Sequence, residues 1–168
     1  MREVTSSGKG TAERITNTSA HKDAWAQTLN EMEALATDHE AHGQDVVEVV
    51  ADDTAPEHPD IGDSGRYGLV HVVARNYADE LAGLPPDTNF PAYTVYRTVV
   101  GGRVFLVTEL QDPDAELIVL VASTYETNAA SELEVVAIDS GTMYTHFQKL
   151  DGTHIISFRH DEPTKFFP

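Results

Sequence analysis

The chain has 168 residues, 40% of them hydrophobic, which suits one domain with a buried core and excludes a chain disordered by composition. It has 28 acidic against 11 basic residues, a net charge of −17, and no basic stripe that could displace counterions, which argues against nucleic acid as a partner. Cysteine is absent, which excludes disulfides, thiolate nucleophiles and cysteine-based metal sites.

No run approaches the ~18 apolar residues of a membrane helix, and the first residues lack the apolar segment of a signal peptide. A soluble, cytoplasmic protein without a membrane partner is expected. The acids are scattered singly and not gathered in a tail, so the whole surface is acidic. Such self-repulsion destabilises a compact chain at low salt, whereas at about 1 M salt the screening length falls to about 3 Å. The composition points to a halophile with high internal salt. The competing reading is an acidic protein that docks on basic partners.

Residues 1–18 read as a polar N-terminal tail, and residues 19–168 as a single α+β domain. A helix is expected from Ser19. Its apolar face is Trp25, Leu29, Met32, Ala36 and His39, widened by Leu35 and stopped at Gly43. DVVEVVA (45–51) is a β-branched strand, and 52–66, rich in Asp, Pro and Gly, reads as a loop. YGLVHVVA (67–74) is a second strand. Asn76 can cap a short helix ended by Pro85 and Pro86.

Strands 92–100 and 103–111 flank the hairpin turn Gly101-Gly102, which pairs Val99 with Val104 and Arg97 with Leu106. The most apolar run, Val104–Ala122, folds back at DPDA, pairing Leu110 with Leu117. Strand 117–122 is apolar on both faces and should be central and covered on both sides. A helix is expected within 127–141, ending at Gly141. Last come two strands around Asp151-Gly152, a type I′ signal, and Phe166-Phe167-Pro168 as an apolar plug. The order is α-β-β-α-β-β-β-α-β-β, with a mainly antiparallel sheet of about seven strands and helices packed on it.

The last hairpin carries the strongest candidate site. Its register sets Tyr144 opposite Arg159, His146 opposite Ser157 and Gln148 opposite Ile155. Met143, Phe147, Ile156 and Phe158 form a core face. The other face shows Tyr144, His146, Gln148, Ser157 and Arg159, an arginine for an anion and a histidine for proton transfer. Solvated strands commonly look the same. Arg97, among apolar neighbours, would need Glu109 or Glu126 if buried.

Other motifs have plainer readings. His39 and His42 are close enough on one helix to share a metal, but histidines also suit a helix C-terminus; no metal site is assigned. GDSG (62–65) matches a serine-protease tetrapeptide by letters only and lies in a turn-rich loop. Asp112 with Asp114, and Asp52 with Asp53, sit in expected turns, where Asp is favoured for backbone reasons. The phosphate-binding loops and zinc-protease motifs are absent, so no cofactor and no catalytic residue is assigned.

RYGLVHVVA, YTVYR with GGRVFLVTELQDPD, and MYTHFQKLDG with ISFRHDEPTKFF together resemble an uncharacterised family of haloarchaeal proteins, over roughly residues 20–168. The resemblance implies the halophilic setting and one domain, and no chemistry. The sequence thus leans towards a non-enzymatic module that binds a protein partner or forms a homo-oligomer. The alternative is a small-molecule or anion binder, or an enzyme, using Tyr144, His146 and Arg159.

Overall fold

A computed structural model describes residues 7–59, 66–85 and 90–168, with side chains from Thr18 onward. Helix α1, Ser7–Ala41, is followed by strands β1 (Asp45–Glu57) and β2 (Gly68–Val73), then helix α2 (Arg75–Ala82). Strands β3 (Ala92–Val100), β4 (Arg103–Asp112) and β5 (Leu117–Glu126) follow. A 3₁₀ turn, Thr127–Ala130, leads into helix α3 (Ser131–Ser140). Strands β6 (Met143–Gln148) and β7 (His154–His160) and a last 3₁₀ turn, Pro163–Phe166, complete the fold. GDSG falls outside the described residues.

The seven strands form one sheet in the order β3-β4-β5-β1-β2-β6-β7. It is a mixed sheet, and the expectation of a mainly antiparallel one is corrected. Hairpins give antiparallel pairs, but β1 lies parallel to β5 and β2 parallel to β6. These two long-range pairings carry no turn signal, which is why local patterns did not reveal them. The sheet also curls until its two end strands meet through side chains. The Tyr93 ring lies 4.6 Å from that of His160 and the Phe90 ring 4.9 Å from that of Phe158.

Both faces of β5 are covered, as its apolar run demands. Ile118, Leu120 and Ala122 meet Met32 and Ala36 of α1 on the outer face, with Trp25, Leu29 and Leu35 packed alongside. Val119 and Val121 point inward to Ala78 and Leu81 of α2. Leu133 and Ala137 of α3 pack with Val104, Leu106, Met143, Phe166 and Phe167 on the same inner side. The C-terminal phenylalanines are the expected plug: both are buried, and the Tyr125 hydroxyl donates to the Phe166 carbonyl. β5 is an interior strand beside β1, which occupies the middle of the seven.

Several boundaries differ from expectation. α1 begins at Ser7, not Ser19. β1 continues to Glu57 through the expected loop, because Thr54, Ala55 and Pro56 pair with His71, Val70 and Leu69 of β2. Pro56 is tolerated because β1 beyond Val50 no longer pairs with β5. α2 starts at Arg75 behind Ala74, with no side-chain cap from Asn76.

The β3–β4 register is the expected one, whereas β4–β5 slips by two residues, pairing Leu110 with Val119 and Asp112 with Leu117. The turn is longer than DPDA suggests. Glu116 adopts a left-handed φ of 51°, and the Asp112 carboxylate accepts from the Ala115 amide at 3.3 Å. A slip of two keeps every side chain on its face.

Candidate functional site

The last hairpin turns at Lys149–Gly152, where Gly152 donates to the Lys149 carbonyl and has a φ of 88°. The Lys149 amide bonds the Thr153 carbonyl, which shifts the strands by one residue relative to a type I′ turn. A bulge at Ile155 then restores the register, so Gln148 pairs with His154 and not with Ile155, while Phe147 still meets Ile156. Both Ile155 and Ile156 pack on the core shared with Phe147. The bulge releases His154 to the opposite face, where it reaches Ser157 at 2.6 Å.

Tyr144 stands opposite Arg159 and His146 opposite Ser157, as expected. The Tyr144 and His146 rings stack with centroids 5.6 Å apart, and the Arg66 guanidinium lies 5.5 Å from the Tyr144 ring centroid. Gln148 lies on the same strand, half-buried, and Arg159 is exposed. The structure thus brings Tyr144, His146 and Ser157 together and leaves Gln148 and Arg159 at the margin. It adds two residues the sequence reading missed, His154 and Arg66. The bulge hides the first from simple alternation, and the parallel β2–β6 pairing brings in the second.

The hydrogen bonds here have one consistent direction. Nε2 of His146 lies 2.8 Å from the Arg66 carbonyl, which can only accept, so Nε2 carries the proton. Burial pulls the His146 pKa below its ordinary value, and the charges of His154 and Arg66 act the same way, outweighing the carbonyl's opposite pull. The neutral ring leaves Nδ1 as an acceptor, and the Ser157 hydroxyl, 2.6 Å away, donates to it. That spends the only serine proton. Ser157 Oγ therefore accepts from Nε2 of His154. A chain of donors runs from His154 through Ser157 and His146 to the Arg66 carbonyl.

His39 and His42 do not converge. The two nitrogens of His39 face Gln44 and Glu109, whereas Nδ1 of His42 faces the Asp38 carbonyl at 2.7 Å. Arg97 does not pair with Glu109 or Glu126. It donates to the carbonyls of Thr164, Lys165 and Phe167, holding the C-terminal turn against β3. Glu126 instead bridges Arg103 at 3.4 Å. Asp52 and Asp53 are both exposed, at the bulge in β1.

Fold and site together define an α+β domain with a curled mixed sheet and an ordered polar cluster on its outer face. The chain belongs to the family of unknown function DUF7529, whose model matches residues 12–168. No curated protein and no solved structure matches it. Among the described residues, no helix is long and apolar enough to cross a membrane.

Proposed function

We propose that this chain is a soluble, cytoplasmic, non-enzymatic binding protein of a salt-in halophile, with residues 19–168 as one domain behind an N-terminal segment. It recognises a small anion on the outer face of β6 and β7. The observation that carries this is the directed chain from His154 through Ser157 to His146. Its members hold one another in fixed tautomers, and a surface held in this way loses little freedom when it binds. Arg159 is the anion anchor, Tyr144 the flat platform beneath Arg66, and Gln148 a further polar contact. In a chain of charge −17, two arginines meet at Tyr144: Arg159 stands opposite it on β7, and the Arg66 guanidinium lies over its ring.

The test is a titration of ring and amide NMR signals with inorganic phosphate and with acetate, at constant ionic strength. Saturable shifts at His146 and His154, weakened on the order of tenfold by Arg159→Met, are expected. Shifts that grow linearly without saturating for both anions count against the reading.

A second reading, self-association or binding of a protein partner, has separate support. Val135 and Ile138 stand one turn apart on α3, 69% and 48% exposed. The sheet ends are a weaker basis for it, because Phe90–Phe158 and Tyr93–His160 contacts span the gap between them. Light scattering after size exclusion, on the native chain and on Val135→Ser with Ile138→Ser, decides it: a native monomer refutes self-association.

A further inference from the structure

Strand β1 changes partners partway along its length. Its parallel pairing with β5 ends at Val50 opposite Ala122, and from Ala51 onward it pairs only with β2, with a bulge at Asp52. β5 runs on to Glu126, paired only with β4. The two strands separate there, and α1 passes over the outer face. The result is a cavity of about 440 Å³ between the helix and the splayed strands.

Its walls combine two chemistries. Trp25 of α1 and Phe105 of β4 supply aromatic surface, with the His21 ring 6.1 Å from that of Phe105. Lys22 and Arg103 supply positive charge, with Asp52 the one acid among the lining residues. Arg103 is held in place, its Nε donating to the Thr124 hydroxyl at 3.3 Å and its guanidinium bridging Glu126. Nε2 of His21 donates to the Gly101 carbonyl at 3.0 Å, which fixes that ring at the rim. Aromatic walls beside fixed cations suit a flat ring that carries an anionic group.

We infer that this cavity is a second ligand site, distinct from the β6–β7 face, and that it takes a small aromatic anion. The ring lies against Trp25 and Phe105, and the anionic group meets Arg103 and Lys22. The cavity needs no movement of the sheet to form, since the strand separation is built into the partner change at Val50.

Trp25 is the only tryptophan in the chain, so its fluorescence reports on this cavity alone. The full chain is titrated with benzoate, with phenyl phosphate and with cyclohexanecarboxylate at constant ionic strength. Saturable quenching is expected with benzoate or phenyl phosphate; whichever binds more tightly identifies the anionic group. Arg103→Met should weaken it on the order of tenfold, and the exposed Lys22→Met, which touches no core contact, should weaken it less. Absence of saturable change with both aromatic anions overturns the proposal, as does a response unchanged in both variants. An equal response to cyclohexanecarboxylate overturns the aromatic part.

Discussion

Both ring nitrogens of His39 face acceptors: Nδ1 meets Gln44 Oε1 at 2.6 Å, and Nε2 meets the buried Glu109 carboxylate. Two acceptors call for two N–H groups, an arrangement that favours the protonated ring, in the same direction as its raised pKa. Its carboxylate partner is itself oriented by Gln111, which donates at 3.0 Å. The pair fastens the last turn of α1 to the middle of β4, across the outer face of the sheet.

Burial alone would lower the His39 pKa. The bonds to Glu109 and Gln44, with the charges of Glu109 and Asp38, outweigh it and raise the value above 6.5. Stability from the pair is therefore fully present below the unfolded value of 6.5 and is lost as pH rises through the raised folded value. Denaturant midpoints of the native chain should fall on that alkaline side, and Glu109→Gln should flatten the fall. At pH 6 the same substitution should cost roughly 1–3 kcal/mol. An equal alkaline fall in both proteins would show that the pair plays no part.

On the acid side the sign reverses. Burial drives His71 down to about 3 and His160 to about 4; nearby His160 and His146 also lower His71. Each ring hydrogen-bonds a threonine hydroxyl, Thr54 at 2.8 Å from His71 and Thr145 at 2.6 Å from His160. Their contribution is present above 6.5 and is lost as pH falls towards about 4 and about 3, because the unfolded chain takes up protons first. The pH dependence of unfolding at about pH 5 should show nearly two more protons bound by the unfolded chain from this pair. His160→Gln should remove close to one of them, and a proton count unmoved by that change would refute the buried-neutral assignment.

The parts of this architecture legible in the sequence are those governed by local signals. Gly101-Gly102 sets the β3–β4 register, and Gly141, with a φ of 71°, stops α3 as expected. Alternation places Tyr144, His146, Ser157 and Arg159 on one face because a strand has a period of two. What was not legible depends on distant partners. The chain 52–57 reads as a loop by composition, and β2 pairing overrides that preference. The parallel neighbours of β1 and β2 are set by packing across the whole sheet. His154 reaches the candidate site only because the Ile155 bulge turns it over, and no residue type at that position announces a bulge.

Gly68 shows how tightly one of those unannounced pairings is built. A Cβ placed there would lie 1.8 Å from the backbone oxygen of Tyr144, a contact no side-chain rotation relieves. The glycine lets β2 approach β6 at the strand that carries the candidate site. Gly68→Ala should destabilise the fold by about 3 kcal/mol or more, the upper range for overpacking. Gly83→Ala, whose nearest contact would be 3.4 Å, is the matched control. Denaturant unfolding of both variants provides the check, and an equal cost would mean that β2 and β6 can separate without penalty.

The donor chain on the outer face makes a prediction about protons that a merely solvated strand does not. If the Arg66 carbonyl fixes the proton on Nε2 of His146, nitrogen NMR should show a single neutral tautomer there at pH 7. A free imidazole would show a mixture. The ring should also resist protonation to below the ordinary 6.5, chiefly because it is buried. Ser157→Ala removes the donor to Nδ1 and the acceptor of His154 at once. Nε2 of His146 should keep its proton in that variant, because the carbonyl remains. His154, already exposed, should lose its ordered position, with its ring signals moving to those of a histidine without a protein hydrogen bond. If Ser157→Ala leaves the His154 signals unchanged, the serine does not link the two rings. The face would then be a set of neighbours and not a preorganised site.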